Sequence, residues 1–326
     1  MKSFFNTGAS SARSIEYCQK EIHFRRTDYG RRNRSIGLNL LIRTLAIFLC
    51  CASLGIAQEP QSATDVTNQK YCAGISDGLG HEEAFRHFCE WVVSFDAKLP
   101  NIIGDQDTRR YHTDNGKERK LIDTTSARIA YIDDQPHFSE IAINHVKLAE
   151  QSDATSMMKL YGAWSYDDFG GALRLLFGSH TKTHFMFDGE SSWEGMPVLV
   201  FNYEVMRDDN LRWALKTNDK RKEIVSDFPG YRGRILLASK SFDLVRFERA
   251  TRDIEKSFPL RFGSNQVNYR REPLGDGTSF VLPVEATVTF CHDDKRKKCE
   301  INQTTFQHWQ KFGAKSRIVT GETPEQ

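Results

Sequence analysis

Polar and apolar residues alternate along much of the chain after residue 120. The clearest case is residues 280–290, where every second residue from Phe280 to Phe290 is apolar. Shorter alternating runs occupy residues 127–131, 141–143, 199–205, 235–237 and 245–247. A period of two with one apolar face predicts β-strands, and the short turns between these runs favour antiparallel pairing. The pattern therefore predicts an antiparallel sheet and no βαβ units.

Two segments repeat their apolar residues with helical spacing instead. In the first, Glu82 and Glu83 suit the positive N-terminal end of a helix, and Pro100 predicts its end. The apolar stripe of this segment contains Ala84, Phe88, Trp91, Val92 and Phe95. In the second, Asp167 is the predicted N-cap. The stripe that follows it contains Phe169, Ala172, Leu173, Leu176 and Phe177.

The strands and helices are expected to belong to one folding unit. No stretch rich in Pro, Gly or Ser separates them. We therefore predict a single α+β domain over residues 70–326, in which a long antiparallel sheet packs its apolar face on the helices. Residues 58–69 are polar and lack periodicity, which predicts a flexible lead before the domain.

Residues 1–57 differ from the rest in charge and are predicted to be an N-terminal extension with a signal peptide. They hold nine of the 45 Lys and Arg residues but only three of the 43 Asp and Glu residues. Basic residues up to Arg43 precede the uncharged residues 44–57, and the small residues Gly55 and Ala57 suit a cleavage site before Gln58. This predicts export to the periplasm or beyond, with membrane contact through the signal segment alone. An uncleaved inner-membrane anchor is the alternative.

Four cysteines follow the predicted cleavage point, which is an even number in an exported chain and favours disulfides. Cys291 and Cys299 flank a charged hairpin tip, and we predict that they pair with each other. A zinc site is the rival interpretation. The spacing argues against it, because Cys72 and Cys89, like Cys291 and Cys299, are too far apart for the C-x₂₋₄-C form of structural zinc sites.

No catalytic, metal-binding or cofactor-binding residue is predicted. Ser76 lies in a G-x-S-x-G pattern, but no buried strand precedes it and no parallel sheet follows, as a nucleophile elbow requires. His180 and His184 have a metal-like spacing that converges only on a helix, whereas they lead into a predicted strand. Phosphate-binding glycine loops are absent. The net charge of +2 gives no basic footprint for nucleic acid.

Several segments resemble motifs of an uncharacterised group of exported bacterial proteins. Residues 99–111 (LPNIIGDQDTRRY) resemble an LPNFxCDQxTxRY signature, and residues 166–177 (YDDFGGALRLLF) are similar to a GEFxxxLxxLF helix. Residues 231–237 and 245–248 resemble a GxIWID…VLRLE hairpin. This group in turn is similar to the outer-membrane lipoprotein carrier superfamily, the LolA-like fold.

The resemblance implies a curved, incomplete antiparallel barrel that is closed by a few helices and holds acyl chains in an apolar cavity. It implies no catalytic residue and no cofactor. The group's cysteine before Asp-Gln is Gly104 in this chain. Any disulfide built on that cysteine is therefore lost, and the pairing of Cys72 with Cys89 stays open.

We therefore expect an exported, non-enzymatic envelope protein that binds a lipid or lipoprotein acyl chains in a half-barrel cavity. The candidate cavity-lining residues are Trp91, Phe177, Phe201, Tyr203, Leu282, Val284 and Ala286. Two alternatives stand beside this expectation. One is an envelope protein-interaction module in which the same apolar face is a filled core. The other is a secreted serine hydrolase that uses Ser76.

Overall fold

The computed structural model describes three helices and thirteen strands. The described residues are 63–95, 99, 101–132, 135–148, 171–178, 181–210, 213–218 and 224–311. The helices are α1 (Ala63–Ser76), α2 (Glu82–Val93) and α3 (Gly171–Phe177). The predicted helix over residues 82–95 is confirmed. Asp167, Phe169, His180 and the predicted signal peptide lie outside the described residues.

Each predicted alternating run lies in a strand. The first six strands are β1 (Ile102–Thr113), β2 (Lys120–Ile132), β3 (Gln135–Ile143), β4 (Val146–Lys147), β5 (Thr183–Trp193) and β6 (Met196–Val205). A short 3₁₀ turn, Arg207–Asp209, follows β6. The other strands are β7 (Leu215–Asn218), β8 (Ile224–Asp227), β9 (Tyr231–Ala238), β10 (Leu244–Thr251), β11 (Phe262–Pro273), β12 (Ser279–Cys291) and β13 (Cys299–Lys311).

Eleven strands form one antiparallel sheet in the order β4-β3-β2-β1-β13-β12-β11-β10-β9-β6-β5, and β7 pairs with β8 separately. The first strand of the chain pairs with the last, from Ile102 opposite Lys311 to Thr113 opposite Cys299. The edge strands β4 and β5 do not pair with each other, so the sheet stays open. The predicted fold class, an α+β fold with a long antiparallel sheet that does not close into a barrel, is confirmed.

Helices α2 and α3 pack on one face of the sheet, which we call the inner face. The ring of Phe85 on α2 lies 5.0 Å from that of Phe201 on β6, and the ring of Phe177 on α3 lies 5.2 Å from that of Phe185 on β5. Aromatic rings at these separations attract each other beyond the effect of area burial. The main hydrophobic cluster of the protein therefore lies between these helices and the inner face.

Register shifts move two predicted face assignments. Phe247 belongs to the main cluster, but Val245 packs on the opposite face, because the pairing of β9 with β10 shifts at this point. The pairing of β11 with β12 shifts between Glu285 and Pro283, and Val284 lies in the shift. Because an extra residue reverses the alternation of faces, the period of two over residues 280–290 does not hold along the whole strand.

Helix α1 begins at Ala63, so it includes residues 63–69 of the predicted lead, where the sequence pattern predicts no helix. Two tertiary links, and not a pattern of apolar residues, join this helix to the rest of the fold. Cys72 of α1 forms a disulfide with Cys89 of α2, and the Tyr71 hydroxyl donates a hydrogen bond to the Phe177 carbonyl oxygen over 2.8 Å. These tertiary links, which a local pattern does not contain, account for the difference.

Both disulfides join elements that are neighbours in the fold. The predicted bond between Cys291 and Cys299 is confirmed and closes the β12–β13 hairpin. The pairing of Cys72 with Cys89, which the resemblance leaves open, is present. At Gly104, where the resembling group has a cysteine, a Cβ atom would lie 2.5 Å from the Trp309 ring. Within the described ranges, no helix is long and apolar enough to cross a membrane.

Candidate functional site

Six of the seven candidate cavity-lining residues lie together in the main cluster. Five of them, Phe177, Phe201, Tyr203, Leu282 and Ala286, are buried members of the cluster, and Trp91 packs against it while partly exposed. Val284 is half-buried at the register shift and lies outside the cluster. The structure thus brings six of these residues together and leaves Val284 apart, and a role in lining a cavity stays a prediction.

The inner face is not apolar throughout, as two neighbouring cross-strand rows show. The first, which we call the threonine row, runs from β5 to β2 and contains Phe187, Phe201, Ile235, Phe247, Val267, Ala286, Thr304, Thr108 and Thr125. The second, which we call the arginine row, contains Phe185, Tyr203, Gly233, Arg249, Asn265, Val288, Asn302, Arg110 and Asp123. Both rows therefore begin with aromatic residues and end with polar ones.

The polar part of these rows is buried. Thr108 and Thr304 share a hydrogen bond of 2.9 Å between their hydroxyl groups. Arg110, which is 2% exposed, forms a bidentate ion pair with Asp123. The hydroxyl oxygen of Thr125 has no hydrogen-bond partner among the described residues. Since buried polar groups are costly unless they are paired, Thr125 is the residue of this group whose hydroxyl a polar ligand atom could satisfy.

Arg249 is the second buried cation of the arginine row, and its surroundings differ from those of Arg110. Its side chain is 4% exposed, and its guanidinium carbon lies 4.1 Å from the centre of the Trp213 ring. The rings of Tyr231 and Phe247 are each 5.9 Å away. Within the described part of the chain, neither Nε nor Nη1 has a hydrogen-bond partner. Arg249 therefore contacts aromatic faces where Arg110 contacts a carboxylate.

The aromatic contacts offset only part of the cost of burying Arg249. A desolvated cation over an aromatic face gains about 2 kcal/mol. Burying an ion costs several kcal/mol in a real protein, and unpaired N–H donors add to that cost. The contact with Trp213 leaves Nε and Nη1 without a hydrogen-bond acceptor among the described residues. This arrangement can bind an anion in the plane of the guanidinium.

The two tyrosines beside Arg249 do not supply a negative charge. Burial raises the pKa of Tyr203 well above its usual 10, and burial raises the pKa of Tyr231 to about 12, although the charge of Arg249 opposes both shifts. Both phenols are therefore neutral at physiological pH. The Tyr203 hydroxyl donates a hydrogen bond to the Glu248 carbonyl oxygen over 2.7 Å. Gly233 lies beside this hydrogen bond, and a Cβ atom there would overlap the same carbonyl oxygen.

The Glu248 side chain points to the opposite, outer face, because neighbouring residues of a strand alternate. Its carboxylate accepts hydrogen bonds from Arg246 Nε over 2.6 Å and Arg234 Nε over 2.8 Å. Burial alone would raise the pKa of Glu248, but the hydrogen bonds from these two arginines lower it below its usual value. The carboxylate nearest to Arg249 along β10 is therefore engaged by other cations on the other face.

A polar groove of about 630 Å³ crosses the outer face above β12, β13, β1 and β2. Thr108, Thr125, Ala286 and Thr304 of the buried threonine row border the groove, and exposed or half-buried side chains alternate with them. These exposed or half-buried side chains belong to Asp107, Arg109, Thr124, Ser126, Glu285, Thr287, Gln303 and Thr305. Asn268 donates a hydrogen bond to Glu285 over 3.0 Å and accepts one from Arg246 over 2.6 Å, so these residues link the groove to the Glu248 cluster. This surface is polar and suits no acyl chain.

The candidate nucleophile Ser76 is the last residue of α1 and is 3% exposed. Its hydroxyl donates to the carbonyl oxygens of Cys72 and Ala73, over 2.9 Å and 3.1 Å. It therefore lies at a helix end, and not on the strand-to-helix turn that a nucleophile elbow needs. In the ranges that the structure describes, no group of three His, Cys, Asp or Glu residues could hold a metal ion.

The buried arginines were not among the candidate residues from the sequence. A signal was present, since Arg249 follows Phe247 by two residues and therefore shares its predicted inward face. A charge at an inward position of an alternating strand conflicts with the pattern and marks a candidate site. Arg110 had no such signal, because residues 102–113 do not alternate clearly.

Comparisons with known proteins find similar solved structures only. No protein-family model matches the chain, and no curated protein matches it. The structure is similar to a DUF1329 family protein from Desulfovibrio piger, with a TM-score of 0.34 and 8% identity over 78% of this chain and 95% of that one. It is also similar to a domain from Vibrio parahaemolyticus described as an outer membrane lipoprotein-sorting protein, with a TM-score of 0.30 and 7% identity over 71% and 92%.

A fainter likeness joins the chain to the MucA/MucB complex of Pseudomonas aeruginosa. The TM-score is 0.15, with 11% identity over 68% of this chain and 93% of that one. At these values the comparisons say nothing about a ligand or a partner.

Proposed function

We propose that this chain is a non-enzymatic envelope protein that binds an amphiphile, such as a lipid or the acyl chains of a lipoprotein, against the inner face of its open sheet. The observation that carries this proposal is the division of the inner face. Apolar residues on β5 to β12, from Phe187 to Ala286, share this face with buried polar residues, and Thr125 Oγ1 and Arg249 Nε and Nη1 lack partners among the described residues. An amphiphile has the same division between an apolar tail and a polar head.

The disulfides support export, which the proposal requires. Disulfides form and persist in oxidising compartments such as the periplasm, and are rare in the cytosol. Cys72–Cys89 and Cys291–Cys299 use all four cysteines that follow the predicted cleavage point. The signal peptide stays a prediction from the basic and apolar residues before Gln58.

The alternative is a protein-interaction module with a filled core, and the helix packing favours it. Phe85 lies within 5.0 Å of the Phe201 ring and 4.8 Å of the Phe185 ring, and Phe88 lies 5.7 Å from Phe177. A close-packed interior of this kind needs no ligand. The two functions differ in whether the inner face admits a further molecule.

Ala286 is the position that separates the two functions most sharply. It is a buried member of the main cluster and lies in the threonine row, opposite Val267 on one side and Thr304 on the other. The adjacent Thr287 points to the outer face and lines the polar groove. We therefore compare Ala286→Trp with Thr287→Trp as a matched control, in a titration with a dansyl-labelled fatty acid and in urea unfolding.

The amphiphile function predicts that the wild-type protein and the Thr287→Trp variant bind the labelled fatty acid equally. It predicts that Ala286→Trp weakens binding by at least about tenfold while the variant stays folded. A filled core predicts the opposite pair of results. The wild-type protein then binds no fatty acid, and Ala286→Trp loses about 1–3 kcal/mol of stability because it overpacks the core.

A further inference from the structure

We propose that Arg249 is the binding group for an oxyanion, the carboxylate or phosphate head of an anionic amphiphile. This inference rests on the proposed function and deepens it, because it names the charge of the ligand and the residue that recognises it. It follows from three features of the arginine row, which concern the donors of Arg249, the local charge and the surface beside it.

The first feature is a set of donors without acceptors. Nε and Nη1 of Arg249 are both buried, and neither has a hydrogen-bond partner among the residues that the structure describes. The ring of Trp213 lies against the guanidinium, with its centre 4.1 Å from the guanidinium carbon, and offers no oxygen or nitrogen acceptor to these donors. Carboxylate and phosphate oxygens are the acceptors that a guanidinium edge binds most strongly.

The second feature is an uncompensated positive charge. No carboxylate of the described residues forms an ion pair with Arg249, whereas Asp123 neutralises Arg110 in the same row. Glu248, next to Arg249 in sequence, is bound by Arg234 and Arg246 on the outer face. Among the described residues, the charge of Arg249 therefore has aromatic neighbours and no carboxylate partner, which favours an anionic ligand over a neutral one.

The third feature is the apolar surface that begins beside Arg249. Phe247 lies two residues away on the same face of β10, and its row continues through Val267 and Ile235 on the neighbouring strands. All three are fully buried members of the main cluster. An anion with an apolar tail can place its head at Arg249, and its tail reaches these residues where it replaces part of their present packing, whereas a small anion uses the head position alone.

The test compares three ligands that separate head from tail. Dodecanoate carries both, dodecanol carries the tail with a neutral head, and inorganic phosphate carries an oxyanion without a tail. Binding to the full chain is measured by calorimetry for the wild-type protein and for Arg249→Met, Arg249→Lys and Arg246→Met. Arg246 lies on the same strand but faces outward, where it bonds to Glu248 and Asn268, so its variant is the matched control.

We expect the wild-type protein to bind dodecanoate about tenfold or more tightly than dodecanol, as a charge-assisted contact requires. Arg249→Met should bind dodecanoate only as tightly as it binds dodecanol. Arg249→Lys and Arg246→Met should still bind dodecanoate more tightly than dodecanol. In the absence of ligand, Arg249→Met should melt no lower than the wild-type protein, because the variant removes a buried charge that has no counter-charge.

Other outcomes overturn the inference in distinguishable ways. If the wild-type protein binds dodecanol as tightly as dodecanoate, the head-group site is wrong but the amphiphile function stands. If Arg249→Met keeps the preference for dodecanoate, another residue recognises the head. If neither amphiphile binds, the proposed function fails too, and phosphate binding that disappears in Arg249→Met then identifies a site for a free anion only.

Discussion

The guanidinium carbon of the buried Arg249 lies 4.1 Å from the centre of the ring of Trp213, which is half-buried. Trp213 belongs to the segment between β6 and β7, and Arg249 lies on β10. The contact therefore joins the β7–β8 hairpin region to the main sheet through a cation and an aromatic face. Its energy is measurable, because a double-mutant cycle separates the contact between the two side chains from the other effects of each replacement.

We predict an energetic coupling between these two side chains. Trp213→Leu should lower the free energy of unfolding by more in the wild-type protein than in the Arg249→Met variant. In the wild-type protein it removes the cation–aromatic contact, which Arg249→Met already lacks. The coupling energy from the double-mutant cycle should be about 1–2 kcal/mol in urea unfolding. Equal effects of Trp213→Leu in both backgrounds would show that the ring contributes by packing alone.

The ion pair of Arg110 and Asp123 should respond asymmetrically to mutation. Asp123→Asn leaves a buried charge without its counter-charge and should cost about 3–5 kcal/mol of stability. Arg110→Met combined with Asp123→Leu should cost much less, since it removes both charges. Asp114 is an exposed acid that pairs with Lys120 and serves as the control, with an expected loss below about 1 kcal/mol for Asp114→Asn. A stable Asp123→Asn variant would contradict the burial of this pair.

Gly233 should tolerate no side chain. Its Cβ would overlap the Glu248 carbonyl oxygen and lie 2.5 Å from the Tyr203 hydroxyl, so Gly233→Ala should lose about 3 kcal/mol or more. Tyr203→Phe should not rescue the variant, because the clash with the backbone oxygen remains. Gly74 in α1 has no atom within 4 Å of its Cβ position, and Gly74→Ala should raise stability by up to about 1 kcal/mol. Thermal unfolding of the three variants tests the prediction, and a stable Gly233→Ala would refute it.

The β12–β13 hairpin should lose stability as the pH rises past neutrality. The hydrogen bond to Glu300 raises the pKa of His292 above its usual 6.5. A raised pKa in the folded state means that the stabilisation is fully present below the unfolded pKa. It is then lost as the pH rises through the folded pKa. The difference in unfolding free energy between the wild-type protein and His292→Gln should therefore be largest in mild acid and shrink above neutral pH. A difference that does not change with pH, or that persists in the Glu300→Gln background, would contradict this account.

The sequence predicts the sheet well where strand register is regular. Leu199, Phe201, Tyr203 and Val205 were expected on one face, and all four belong to the main cluster. The pairing of β6 with β9 has no register shift, so the period of two survives into the tertiary structure. Local alternation is sufficient there because no register shift interrupts the pairing of the two strands.

The sequence predicts less where tertiary contacts decide. Val284 and Val245 lie at register shifts, and a shift depends on how a strand fits its neighbour. The disulfide between Cys72 and Cys89 joins helix α1 to helix α2. Arg249 is buried because Trp213, which is distant in sequence, covers it. The apolar part of the candidate site was therefore predictable from residue types, whereas the buried arginine was not.

Native mass spectrometry of the full chain, purified from a cell envelope without detergent exchange, tests the central claim most directly. The account predicts a population with the added mass of an amphiphile, which Ala286→Trp loses and Thr287→Trp keeps. The protein mass alone, in the wild-type chain and in both variants, would contradict it and leave the inner face as a filled core.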